Sequence, residues 1–267
     1  MIRGVTRRPL IGLVIPAAVA VLFIALPLIG LLAHADWRNL PAQLVSTDVL
    51  TALRLSLECS VIAVVIALII GVPLAYLLAR TALPGRRVIR GLVTLPLVLP
   101  PVVGGIALQT AFGTTTPIGT VLHNVFGVVL PFSTAGAAMA EAFVGFPFLV
   151  ITVEAGLRQC DDHFEEVAAT LGARPWRRFW RVTMPLAAPS IAAGAALCWA
   201  RALGEFGATI TFAGSFPGTT ETLPIAAYSS FEGSGQVGES VTLSLLLLAI
   251  SILVLVALRD RWLGALR

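Results

Sequence analysis

The residues of this sequence that could do chemistry fall into a few groups. Arg201, Glu205 and Thr209 recur every four residues inside an apolar stretch. A helix there would stack them on one face, with the opposite charges one turn apart. Asp161, Asp162, Glu165 and Glu166 precede Arg174, Arg177, Arg178 and Arg181, an acidic segment followed by a basic one. His34, His123 and His163 have no partner at metal-ligand spacing, and Cys59, Cys160 and Cys198 are scattered without a C-x-x-C pair. Neither set reads as a metal site or a disulfide framework. No G-x-S-x-G occurs, and a phosphate-cradling G-x-x-x-x-G-K-[ST] loop is impossible in a chain without lysine. No catalytic residue, cofactor or metal is expected; the chemistry is that of buried charge.

The elements around these charges explain why. Hydrophobic residues make up 57% of the 267 and charged residues 12%, against roughly 45–50% and about 25% in soluble domains. Mean hydropathy is +0.94. So few charges cannot coat a soluble surface, which excludes a soluble enzyme, a disordered tail and a fibre. The expected fold class is all-α transmembrane. A charge inside a span costs roughly 2.5–3.5 kcal/mol or more, so Arg201 and Glu205 must face a cavity or a partner. A pathway-facing pair and a pair that only fixes helix packing fit the pattern equally.

About 20 mostly apolar residues are needed per crossing. Six stretches qualify, at 10–33, 55–79, 91–112, 134–157, 186–213 and 241–258, the third rich in proline (Pro96, Pro100, Pro101) and expected to be broken by it. Segment 113–133 is uncharged, but its apolar core is too short and is interrupted by Gly127 and Pro131, so it reads as re-entrant or superficial. With both termini inside, 15 of the 18 arginines fall on the cytoplasmic side. That bias accounts for the basic pI better than nucleic acid does. A crossing at 113–133 would expel the five arginines of 158–185. The first apolar stretch exceeds a signal h-region of 7–15 residues, so it reads as a retained span. The whole chain, 1–267, then forms one transmembrane domain in the plasma (inner) membrane. Glu141 and Glu154, in the fourth span, read as packing residues. In the fifth, Ala192, Ala196, Ala200, Gly204 and Ala208 repeat every four residues and predict one small-residue contact stripe.

The longest inside segment, 158–185, predicts a helix-turn-helix elbow. A first helix runs through Val167–Leu171 and stops at Gly172, and a second runs from Pro175 to Val182. Glu166-Val-Ala-Ala-Thr-Leu-Gly172, nine residues, then Val182-Thr-Met-Pro185 resembles the EAA motif of ABC importer permeases. Val167, Val182 and Met184 depart from that pattern conservatively. The resemblance implies that the loop docks on a separate ATP-hydrolysing subunit, with Glu166, Ala168, Gly172 and Pro185 transmitting closure. Bulk at Ala168 or Gly172 would then spoil a close fit.

Ala200-Arg-Ala-Leu-Gly-Glu-Phe-Gly-Ala-Thr-Ile-Thr-Phe-Ala-Gly214, Leu95–Gly104 and Thr222–Ala226 are similar to molybdate permeases of the ABC class. Sulfate and thiosulfate permeases share the Arg-x-x-Gly-Glu-aromatic-Gly core, and tungstate is chemically close to molybdate. This resemblance implies a six-helix permease of the type I importer fold that moves a tetrahedral oxyanion. A second copy, two ATP-binding cassette subunits and an extracytoplasmic oxyanion-binding protein would complete the assembly. It also implies that the C-terminal regulatory domain of some molybdate permeases is missing. Importing a dianion against 100 mV costs about 4.6 kcal/mol before any gradient, so accumulation needs a power source. An ion-coupled secondary transporter is the alternative class, but it would leave the elbow unexplained.

Overall fold

A computed structural model of the chain describes residues 11–233 and 237–264. The segment 1–9, with Arg3, Arg7 and Arg8, and the terminal Arg267 lie outside the described residues. Among those described, every regular element is helical. The long α1 (Ile11–Ala33) leads through the single turn α2 (Leu40–Leu44) into α3 (Thr47–Arg80). Three shorter helices follow, α4 (Arg86–Val98), α5 (Pro101–Phe112) and α6 (Pro117–Phe126), before α7 (Thr134–Gln159). The elbow helices α8 (His163–Thr170) and α9 (Pro175–Arg178) lead through a π-helical turn, Phe179–Thr183, into α10 (Met184–Leu203). The chain ends with α11 (Gly207–Ala213), α12 (Leu223–Gly233) and α13 (Val237–Gly264).

Hydroxyl caps set several helix starts, because the first backbone N–H groups of a helix lack intrahelical acceptors. Ser46 accepts from the Val49 amide, Thr116 from Gly119 and Ser133 from Gly136. The core is built on α7, flanked by α3 and α10. Small residues let the backbones approach, as membrane helices require in the absence of a hydrophobic drive between them. A Cβ added at Gly145 would lie 2.9 Å from Cys198 Sγ of α10, and one at Gly156 2.2 Å from Ser190 Cβ.

The register of these contacts orders the bundle. Cys59 of α3 donates to the Thr134 carbonyl at one end of α7, and Arg80 donates to the Cys160 carbonyl at the other, so α3 and α7 run parallel. On α10, Ser190 lies at the level of Gly156, Gly194 at Leu149 and Cys198 at Gly145, so α10 runs antiparallel to α7. The α4–α5 pair climbs the same way: Arg90 bonds Glu154, Gly104 packs on Phe143, and Leu108 packs in the cluster of Ala140 and Val144. Ser240 at the start of α13 bonds Ala227, and Thr242 bonds Gln43 of α2, at the end of the bundle where α3 begins.

The proline-rich stretch 91–112 is broken, as its prolines predict: α4 and α5 meet at 120° across Leu99–Pro100, where consecutive prolines remove backbone donors. Two expectations change in detail. The stretch 186–213 breaks at Gly204–Phe206 between α10 and α11. The four-residue stripe is not the packed face either. Ala187, Gly194, Cys198 and Ala202 are buried, whereas Ala192 and Ala196 are half-buried and Ala200 and Gly204 exposed. The buried Gly194, Cys198 and Ala202 also repeat every four residues but two positions out of phase with the stripe, which places the packed face on the other side of the helix; Ala208, the stripe's last member, is buried beyond the break. Segment 113–133 holds only the ten-residue α6, too short to cross a bilayer, as expected.

Candidate functional site

The elbow begins where α7 ends and turns twice. Helix α8 carries Glu165 and Glu166 in its first turn, where acids complement the helix dipole. It stops at Gly172, as the sequence predicts, and it does so in a Schellman turn. The Ala173 amide donates to the Ala168 carbonyl at 3.0 Å and the Gly172 amide to that of Ala169 at 2.9 Å. Gly172 sits at the left-handed position of that turn with φ +81°. A Cβ there would meet nothing within 4 Å in this chain, so within the chain the glycine is required by conformation rather than by space.

Beyond the turn the second elbow helix differs from expectation. It starts with Pro175 in its first turn but passes through the π-helical turn straight into α10, so 175–203 is one continuous helical run of 29 residues. Glu166, Gly172 and Pro185 are exposed and Ala168 is half-buried. Together with the exposed Phe164, Leu171 and Trp176, they give the elbow an open apolar and charged outer surface.

Side chains that sequence reasoning passed over hold the elbow to the bundle. Arg80, at the end of α3 and 11% exposed at its side chain, pairs with Asp162 and approaches Glu165 at 3.6 Å. Glu165 in turn accepts from Thr183 in the π-helical turn at 2.9 Å. Tyr76 of α3 meets the Phe179 ring edge-on at 5.0 Å, and Phe179 stacks on Trp176. The sequence shows the acidic cluster and an arginine expected on the same side of the membrane, but not that they pair, since they lie more than 80 residues apart.

Within the bundle, the structure brings Arg201 and Glu205 together, with Arg201 Nη1 2.6 Å from Glu205 Oε2. The other oxygen of Glu205 accepts from the Ala208 amide at 2.9 Å, the first turn of α11. One buried carboxylate thus neutralises the last charge of α10 and satisfies an orphan donor beyond the break, as irregular backbone at membrane depth demands. Thr209 lies past the break, fully buried, and its hydroxyl has no hydrogen-bond partner. It does not join the pair. The break rests on α5: a Cβ at Gly207 would fall 2.7 Å from Pro101 Cβ. Glu154 gathers three arginines instead of packing silently. Arg90 and Arg158 bond its Oε1, Arg158 at 2.8 Å, and Arg86 lies 3.9 Å away.

An all-helical bundle of long apolar helices, with a broken, charge-neutralised helix and a projecting elbow, defines a multi-pass membrane permease. The family comparison is direct. Residues 67–267 match the family described as binding-protein-dependent transport system inner membrane component, and the chain belongs to that family. It is similar to the molybdenum transport system permease protein ModB of Mycobacterium tuberculosis, 43% identical over 247 residues and 92% of each chain. The protein of the same name in Escherichia coli is 41% identical over 80% of this chain and 92% of its own. A probable sulfate transport system permease, cysT of Chlorokybus atmophyticus, is 34% identical over 86% and 81%. Among solved structures, a bacterial ABC transporter involved in alginate import superposes with a TM-score of 0.74 over 94% of this chain and 93% of its own, at 17% identity. The methionine transporter MetNI gives 0.60 over 81% and 94%, also at 17%. Both share the fold.

Proposed function

We propose that this chain is the membrane-spanning permease subunit of an ATP-driven importer of molybdate. The observation that supports it most is the conjunction of relatives named for molybdenum transport, at 41–43% identity over most of their length, with an elbow that preserves the coupling-loop turn. Hydrolysis belongs to a separate subunit, since this chain cannot build a lysine-bearing phosphate loop. In this reading two permease copies pair, two ATPase subunits dock on the elbows, and an oxyanion-binding protein delivers the substrate from outside.

The reading takes the chain across the membrane six times with both ends inside. Parallel α3 and α7 require an odd number of passages between them, and α4 with α5 supplies one despite the bend. Fifteen arginines then lie on the elbow side. The Ala192–Gly204 stripe, left open within one chain, is the kind of small-residue surface that closes against a second copy. A sulfate importer is the second reading, favoured by the 34% identical relative.

Uptake of labelled molybdate into proteoliposomes holding the permease, its ATPase and its binding protein tests the proposal. ATP-dependent, vanadate-sensitive uptake that excess sulfate leaves unchanged is expected. Uptake that follows an imposed ion gradient without ATP would refute the importer class, and competition by sulfate at equal concentration would shift the substrate. Cysteine labelling of position 170 from inside only is expected, and labelling from outside would overturn the topology.

A further inference from the structure

We propose that the Glu154 cluster is the headgroup site for an anionic phospholipid. Three guanidinium groups, from Arg86 and Arg90 of α4 and Arg158 of α7, converge on one carboxylate oxygen. With Glu154 ionised the cluster keeps two uncompensated positive charges. Each guanidinium carries five N–H donors, and a single oxygen cannot accept from so many. The shortfall is visible at Arg86: it stands 3.9 Å from Glu154, and its buried Nε has no hydrogen-bond partner. The three side chains remain 31%, 34% and 43% exposed, so a ligand can reach them. The unmet donors call for phosphate-type oxygens.

The neighbouring surface selects the source of those oxygens. Helix α4 turns Ile89 and Val93 into the core, while Val88, Leu92 and Leu95, at i, i+4 and i+7, are 66%, 64% and 49% exposed. Arg87 is exposed beside this apolar strip, at the same end as the cluster. At 3.6 residues per turn the strip lies on the far side of α4 from Arg86 and Arg90, and the exposed Arg87 stands between the two; a headgroup held by Arg86 and Arg87 can lay its chains along the strip, from which a free oxyanion would gain nothing. Basic pockets between helices on the cytoplasmic side are where anionic headgroups are held. The placement of this pocket in the inner leaflet rests on the six-crossing reading; the lipid contact itself does not. Bound there, the lipid bridges α4 and α7 next to the elbow.

The test is native mass spectrometry of the intact transporter released from nanodiscs in which one lipid in five is phosphatidylglycerol and the rest phosphatidylcholine. Wild-type complex is expected to retain phosphatidylglycerol selectively. Arg86→Gln with Arg87→Gln is expected to bind it about 30-fold more weakly, at roughly a fivefold loss per basic residue near an anionic surface. Arg86→Lys with Arg87→Lys, which keeps the charge, is expected to retain it, and separates loss of charge from loss of fold. Equal retention by wild type and the glutamine variant overturns the proposal, as does wild-type indifference between the two lipids. Displacement of the lipid by millimolar inorganic phosphate or molybdate, with the same dependence on Arg86, overturns it in favour of an ion site. Impermeant maleimide on Arg87→Cys in intact cells distinguishes the two failures. Labelling from outside sinks the topology while leaving measured lipid retention intact.

Discussion

Gly172 offers a test in which conformation and space make opposite forecasts. Alanine at this position adds one methyl group that meets nothing within 4 Å in the chain. It must, however, hold φ near +81°, a region that costs an L-residue about 1–2 kcal/mol. Helix α8 has eight residues and a single side-chain bond at its start, from the His163 amide to Asp161, so its Schellman turn carries much of its definition. A penalty of that size shifts the formed turn by a factor of about 5–30. Asparagine is larger than alanine but tolerates the left-handed region. The expected order of affinity for the ATPase is therefore Gly, then Asn within about threefold, then Ala, 5–30-fold weaker. Interferometry on permease held in nanodiscs, titrated with ATPase, reads this order directly, and uptake should follow it. Equal loss in the Asn and Ala variants would show that the interface lacks room for any side chain. No loss in either would remove the turn from the contact.

Three further probes test the rest of the frame. Arg80→Gln should release the elbow from α3 and lower the melting midpoint of the purified permease, since charge-assisted bonds contribute about 1.5–3 kcal/mol; an unchanged melt and unchanged coupling would make the contact incidental. Glu205→Gln keeps an acceptor for the Ala208 amide but strands Arg201, at a cost of about 2.5–3.5 kcal/mol, and Arg201→Gln added to it should restore stability. Uptake by that stable double variant separates packing from passage: wild-type rates leave the pair structural, and loss places it on the path. Gly156→Ala should destabilise by about 1–3 kcal/mol through its clash with Ser190, with recovery when Ser190→Gly is added; a neutral single variant would contradict the α7–α10 register.

The legible parts of the fold were those that depend on composition over a span's length or on local backbone chemistry. Helices α1, α3, α7 and α13 follow from runs of apolar residues, and the stop at Gly172 from a glycine between two helix-forming stretches. One break was legible and the other was not. Pro96, Pro100 and Pro101 mark 91–112 as broken, whereas hydropathy counts apolar residues without registering direction, so 186–213 read as a rod although Gly204 stood within it. The Ala192–Gly204 stripe failed as a guide to the packed face because Gly194, Cys198 and Ala202 form a second small-residue row with the same period, two residues out of phase, and the sequence does not say which row meets the neighbour. Glu154 looked inert beside its sequence neighbours: two of its three arginines belong to α4, more than 60 residues earlier. Arg201 and Glu205 were found because their spacing holds across the last turn of α10, while Thr209 was misjoined because the chain changes course between them.

These corrections bear on how work would pass through the proposed importer. The helical run from Pro175 to Leu203 measures about 43 Å at 1.5 Å per residue, long enough to join the elbow to the far half of the bundle. Through Glu165, Thr183 and Arg80 its elbow end is bound to α3, so a push there cannot move α8 alone. At its other end the run stops at Gly204, where the Glu205 carboxylate ties it to α11, and Gly207 seats α11 on Pro101. Pro101 opens α5 at the bend of the other broken helix. The two interruptions therefore touch: Pro100 and Pro101 have no amide hydrogen to bond across one, and the regular four-residue ladder stops short of the other, where the Glu205 amide turns back to Ala202. A straight, continuously bonded helix would transmit a displacement along its axis. Two helices broken at a shared contact would convert it into rotation, a motion suited to opening and closing the passage that the proposed pair of permease copies would enclose.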